Sequence, residues 1–420
     1  MIHLFRIMPF IALILLTANL NAQTSNDELL TKLIRESDNS KIATVLLNPE
    51  KYKLQIIYTQ IDREGNNYPI FSSRKFNVDS KKYFYPASTV KFPTALLALE
   101  KLNIMNIPGV TKYTSLKIDS NYTSQTKVIF DSSSTTKLPS IANYLKKVFI
   151  VSDNDAQNRI YEFLGQQYTN ETLMKKNFFF TKILNRLSVS LTPEQNRHTN
   201  GFTFYNMDNV LYRQLPQVNP NEYKLDFESV KLGKGYIERG ELINSPKDFS
   251  YSNYFGLEDQ HEMLKSVFFP ETVPAERRFN LTEDDYKFLY RAMSILPRES
   301  DFPAYPDYKT YNDGYCKFFM YGDTKDSIPS NIRIFNKVGI AYGFMIDNAY
   351  IIDFDKNIEF MLSAMIYVNE DEIFNDDIYE YATIGFPFIA ELGRLIYAYE
   401  VNRKRDVIPN LDKFNWSRNK

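Results

Sequence analysis

An α+β architecture is predicted: an antiparallel sheet drawn from both chain ends and backed by terminal helices, with a helical lobe inserted (an α/β sandwich). Three observations predict it. Strand-like runs occur at 54–62 and 70–78 and return at 332–336, 342–353 and 358–368. Three- and four-residue apolar spacing dominates the middle of the chain. No Gly/Ser- or Pro-rich stretch long enough for a flexible linker divides the 420 residues, so one body of two lobes is expected, a sheet lobe of 23–85 and 330–420 and a helical lobe of 86–329.

The elements follow in order. Leu29, Leu30, Leu33 and Ile34 give a first amphipathic helix over 26–36. The loop Arg63-Glu64-Gly65-Asn66-Asn67 suits a hairpin between the first two strands. A helix over 89–102 buries Val90, Leu96, Leu97, Ala98 and Leu102, with Pro93 early enough to fall in the first turn. Further helices are predicted at 141–148, 156–164 (closed by Gly165), 257–267 and 281–296. Between 187 and 245 the pattern is irregular and rich in Asn, Pro and Gly, which fits either a functional rim or a surface embellishment. Asp355-Lys356-Asn357 is a tight turn, and an apolar-faced helix over 378–399 closes the chain against the sheet.

Arg6, the apolar run 7–16 and Ala22 ahead of Gln23 have the form of a signal peptide over 1–22, which implies an exported protein, periplasmic or secreted, with a mature chain of 23–420. No cysteine follows to carry lipid, and the run is too short to span a bilayer, so no stable membrane anchor is expected. Fifty basic residues against fifty-one acidic ones leave no field to recruit nucleic acid. Cys316 is the sole cysteine, which excludes an intrachain disulfide and a thiolate zinc cluster. Past the signal only His198 and His261 remain, both in polar contexts and both expected to be solvated, so neither a metal site nor a Ser/His/Asp triad is expected. No cofactor is implied, and the protein is expected to be a monomer.

Three segments carry chemistry: Ser88-Thr89-Val90-Lys91, Ser152-Asp153-Asn154 and Lys337-Val338-Gly339. Each is weak alone, because Ser72-Ser73-Arg74-Lys75 and Ser37-Asp38-Asn39 repeat the first two patterns. Ser72 falls on a strand, where residues three apart face opposite ways, and Ser37 trails a helix. Ser88 instead stands where a loop becomes a helix, so Lys91 shares its face. There Ser88 is the candidate nucleophile and Lys91 its base, kept uncharged by burial and by the second cation Lys337. Ser152 would relay a proton to the leaving nitrogen and Asn154 would hold a substrate amide. Lys337 ends a strand, 339–343 continues as an exposed edge, and the N–H groups of Ser88 and Ile340, beside Gly339, would stabilise an oxyanion.

The order and setting of these segments resemble the class A β-lactamase and penicillin-binding protein superfamily, whose signatures are S-x-x-K, S-D-N and K-T-G. The resemblance implies a β-lactamase/transpeptidase-like fold and a serine hydrolase that forms an acyl-enzyme. Its substrate would be a small β-lactam or a peptidoglycan-derived molecule, and β-lactam amide hydrolysis, as in antibiotic resistance, is the leading reading. A cell-envelope D,D-peptidase or esterase, or a silent peptidoglycan-binding relative, are the alternatives. Two features depart from the pattern. Val338 replaces a hydroxyl residue, and no E-x-x-L-N follows Ser152 to activate the deacylating water. Glu194 is taken as the candidate base, with Glu241 as the other possibility.

Overall fold

The computed structural model describes residues 27–227 and 229–417, so the predicted signal peptide lies outside the described residues. Its centre is a five-stranded sheet of β1 (Gln55–Arg63), β2 (Pro69–Phe76), β3 (Ile332–Ala341), β4 (Phe344–Asp353) and β5 (Ile358–Tyr367), ordered β3-β4-β5-β1-β2. Every neighbouring pair is antiparallel, and the two chain ends meet where β1 pairs with β5 (Gln55 opposite Met365, Gln60 opposite Phe360).

Alternation along each strand divides its side chains between two layers. Phe335, Tyr350, Ile352 and Met361 face the helical lobe. Ile334, Ile351, Phe360 and Leu362 face the terminal helices. Because both faces are covered, β4 and β5 are buried at every position, and their sequences are near-continuous apolar runs.

The terminal layer holds α1 (Glu28–Arg35), α2 (Ser40–Leu46) and the helix Phe386–Asn402. Asp27 caps α1 by accepting from the Leu30 N–H, and Leu30 and Ile34 bury its apolar stripe. Asn39 caps α2, so the repeated Ser37-Asp38-Asn39 pattern is a helix start. The last helix begins at Phe386 rather than 378: a π-helical turn, Tyr381–Gly385, precedes it, and Pro387 fits its first turn.

The helical lobe contains α3 (Lys91–Met105), α4 (Ile141–Ile150), α5 (Asn154–Leu164) and α6 (Gln166–Lys175), with later helices at Leu257–Phe268 and Glu283–Ser294. Gly165, at φ 80°, ends α5. α6 had no legible apolar face, since its sequence QQYTNETLMK is mostly polar.

Two expectations are corrected. The 187–245 region is not irregular: Phe202–Asn206 pairs with Ser115–Ile118 and Asn209–Gln214, and the hairpin Gly235–Glu238/Glu241–Ile243 joins Ile373–Phe374 in parallel. These strands are too short to establish a periodicity. Neither His198 nor His261 is an exposed side chain. His261 is buried between β1 and β5, bonded to Thr59 Oγ1 and Ser363 Oγ at 2.7 Å each, because Leu257–Phe268 lies on the sheet. His198 stacks on Tyr122 with ring centroids 3.7 Å apart.

Candidate active site

Pro86 and Ala87 bring the chain off the sheet, and Ala87 takes a left-handed conformation (φ 47°) that few non-glycine residues adopt. A 3-10 turn, Ala87–Val90, follows and runs into α3, with Thr89 Oγ1 donating back to the Pro86 carbonyl at 2.7 Å. This turn puts Ser88 on the cleft floor and Lys91, wholly buried, one turn further on.

The donor count at Lys91 fixes what it can do. Its Nζ lies 2.8 Å from Ser88 Oγ, 2.6 Å from Asn154 Oδ1 and 3.1 Å from Ser152 Oγ, and it also contacts the Ser152 carbonyl. A carbonyl oxygen and an amide oxygen can only accept. A neutral amine that gives its two N–H groups to these has one lone pair left, facing the serine hydroxyls. Burial, then the nearby Lys337 ammonium, hold the Lys91 pKa well below the usual lysine value.

Lys337 approaches from the opposite wall and donates to Ser152 Oγ and to the Val338 carbonyl, both at 2.9 Å. Burial lowers its pKa to about 8. Burial and the Lys337 charge both favour the neutral form of Lys91, and Ser152 Oγ lies between the two lysines. Ser152 sits in the left-handed region (φ 58°) between α4 and α5, which turns both its carbonyl and its hydroxyl toward Lys91.

Lys337 does not end its strand, because β3 continues to Ala341 as the edge of the sheet. A glycine inside a strand resembles an interruption in sequence, yet here Gly339 allows a close approach. A Cβ on it would lie 2.6 Å from the Pro86 carbonyl oxygen and 3.2 Å from the Ser88 nitrogen. Beyond it Tyr342 and Gly343, both at positive φ, form the two-residue turn to β4. Val338 is buried in the core under the terminal helices.

The cleft has two halves that share Ser88, Asn154 and Ile340. One, of about 670 Å³, includes Ser152, Val338, Tyr315, Cys316 and Phe386. The other, of about 530 Å³, includes Leu187, Ser188, Tyr342, Tyr379 and Tyr381.

Seven of the eight residues singled out from the sequence, Ser88, Lys91, Ser152, Asn154, Lys337, Gly339 and Ile340, converge here. Glu194 does not. Its carboxylate binds His198 Nε2 at 2.9 Å and Arg197 at 3.0 Å, and it is more than half exposed in the short helix Pro193–Arg197. Glu241 stands exposed on the Gly235–Ile243 hairpin. The group that meets Asn154 Nδ2 is Ser188 Oγ, at 2.7 Å. The sequence carried no signal for Ser188 or for the tyrosines of the rim, because they are brought in by loops.

The chain thus combines an antiparallel sheet covered on both faces with a serine hydroxyl 2.8 Å from a buried lysine amine. Residues 39–213 match the Beta-lactamase enzyme family, a span that holds Ser88, Lys91, Ser152 and Asn154. No curated protein matches the chain. Among solved structures, PBP-A is similar at 13% identity and TM-score 0.48, with 88% of this chain and 95% of that one covered. A β-lactamase from Sphaerobacter thermophilus is similar at 10% identity and TM-score 0.47, covering 88% and 100%. An ancestral class A β-lactamase is similar at 14% identity and TM-score 0.42, covering 89% and 98%. Among the described residues no helix is long and apolar enough to cross a membrane, and no His/Cys/Asp/Glu group could hold a metal ion.

Proposed function

We propose that the protein is an exported acyl-transfer enzyme in which Ser88 attacks the carbonyl of a β-lactam or a peptidoglycan-derived peptide amide. The Ser88 Oγ–carbonyl bond forms as Lys91 takes the hydroxyl proton, and the N–H groups of Ser88 and Ile340 hold the oxyanion. The C–N bond then breaks, and the leaving nitrogen takes a proton from Ser152, which is resupplied from Lys91. What carries this reading is the 2.8 Å contact of the buried Lys91 amine with Ser88 Oγ.

Release of the acyl group is the slower half. The carboxylates lining the cleft are Asp323 and Asp377, and among the described residues neither hydrogen-bonds Ser88, Lys91, Ser152 or Asn154. Ser188, a hydroxyl that is not a base at neutral pH, is the group hydrogen-bonded to Asn154 Nδ2 among the described residues. This favours a long-lived acyl-enzyme, and with it the D,D-peptidase reading, over rapid β-lactam turnover.

The test is intact-mass spectrometry over time after adding benzylpenicillin, with Ser88→Ala in parallel. A single adduct on the wild type that decays over minutes to hours, and no adduct on Ser88→Ala, is the expected result. No adduct on either protein would leave only a silent binder.

A further inference from the structure

The two halves of the cleft differ in charge, and the difference bears on what the acyl group carries. Ser152, which faces the leaving nitrogen in the proposed reaction, lines only the larger half. The leaving group therefore belongs there, and the acyl group belongs in the half lined by Ser188 and the tyrosines. The leaving-group half presents Lys41 and Lys325, while its one carboxylate, Asp323, is held by Arg394 at 2.7 Å. The acyl half is lined by one charged side chain, Asp377, which is exposed and makes no ion pair among the described residues.

Four tyrosines share this half of the cleft with that carboxylate. Tyr85 and Tyr342 meet at 5.2 Å between ring centroids, and Tyr379 and Tyr381 also meet at 5.2 Å. The outer pair is held in place by its hydroxyls, since Tyr381 accepts from the Gly343 N–H at 2.7 Å and Tyr379 from the Asn375 N–H at 2.8 Å. The hairpin from the long insertion braces this rim: Asn375 Nδ2 donates to the Ile237 carbonyl at 3.2 Å, beside the parallel pairing with Ile373–Phe374. The same wall already holds one ammonium, with Lys247 Nζ 4.7 Å from the Tyr236 ring centre and 5.8 Å from that of Tyr342. Ordered tyrosines that line one cleft with a carboxylate making no ion pair among the described residues suit a cation, which gains from both.

We infer that the acyl half is built for an acyl donor bearing a free amine beyond the scissile carbonyl, with its ammonium at Asp377 and its chain along Tyr379 and Tyr381. This rests on the proposed acyl transfer at Ser88 and names the donor chemistry for that site. Asp377 acts in specificity and takes no part in bond making.

The experiment uses two thioester acyl donors that are identical except that one acyl chain ends in a primary amine and the other in its N-acetyl derivative. Acylation of the full chain is followed by mass, and reversible binding is measured on Ser88→Ala, which cannot be acylated. One partly exposed charge contact predicts a preference of about fivefold for the amine. In Asp377→Asn the ratio should fall to about one, and in Asp377→Lys it should reverse. If the wild type shows no preference, or Asp377→Asn and Asp377→Lys keep it, the inference is overturned. If neither donor acylates Ser88, the reaction proposed above fails, and the binding ratio on Ser88→Ala still decides the amine question.

Discussion

Two copies of the pattern Ser-x-x-Lys, at Ser88 and at Ser72, behave as different chemistry. On α3 and the turn before it, Ser88 and Lys91 lie 2.8 Å apart with the lysine sealed from water. On β2, Ser72 and Lys75 are both exposed, and the lysine is paired with Glu258. Beside this second copy is even a serine–histidine chain, in which Ser73 meets Thr59 at 2.7 Å, Thr59 meets His261, and His261 meets Ser363. That chain cross-links the sheet to the Leu257–Phe268 helix. A motif of this kind thus depends on backbone conformation: a turn of helix converges the two side chains, and a strand separates them.

The widest separation between the two regions should come from the serines. Ser88→Ala should lower acylation by a β-lactam about 10⁴-fold or more, whereas Ser72→Ala should leave it within the error of the mass measurement. Lys91→Met should cost about 10³-fold in acylation rate as loss of the general base, and Lys75→Met should be silent; a comparable loss in both would dissolve the comparison. Gly339→Ala should slow acylation about 10²-fold, because the added methyl displaces the Ser88 turn.

The pH profile sharpens the contrast next. Lys91 acts deprotonated, so acylation should fall on the acid side by about tenfold per unit once Lys91 is protonated. Above about 8 it should fall again as Lys337 loses its charge. In Lys337→Met the alkaline limb should vanish, and the acid limb should move to higher pH, since the ammonium that lowers the Lys91 pKa is gone. On the silent side, burial holds His261 down to about 3. Below the unfolded value of about 6.5 the unfolded chain takes up a proton that the folded one does not. Stability should therefore drop by about 1.4 kcal/mol per pH unit between 6 and 4. Urea midpoints should show a shallower slope for His261→Gln. The smallest effect belongs to Glu194→Gln, for which the lifetime of the acyl-enzyme should not change.

The fold class was legible because β4 and β5 are nearly unbroken apolar runs and the helices of the middle keep their period. Ser88, Lys91 and Ser152 were legible because their local spacing falls in a loop-to-helix setting, and Lys337 because it lies on a strand two residues before a glycine. What could not be read came from contacts distant in sequence. His261 sits in a polar run, yet it is enclosed once its helix lies on β1 and β5. Glu194 had a plausible place in the chain, but its carboxylate is taken up by Arg197 and His198, one turn away. Gly339 interrupted the strand pattern at the point where the strand passes closest to the nucleophile's turn.

The register that joins β1 to β5 sets Gln55 against Met365, more than three hundred residues along the chain. A polypeptide emerging from its N-terminus has the whole serine–lysine segment in hand long before the strands that complete the sheet exist. Loop closure of that length is slow, and until it happens β1 offers an unpaired apolar edge. A product truncated before Ile332 would lack Lys337 and three strands of the sheet, so it would be prone to aggregate, and the activity proposed above would arise only after β3, β4 and β5 have docked.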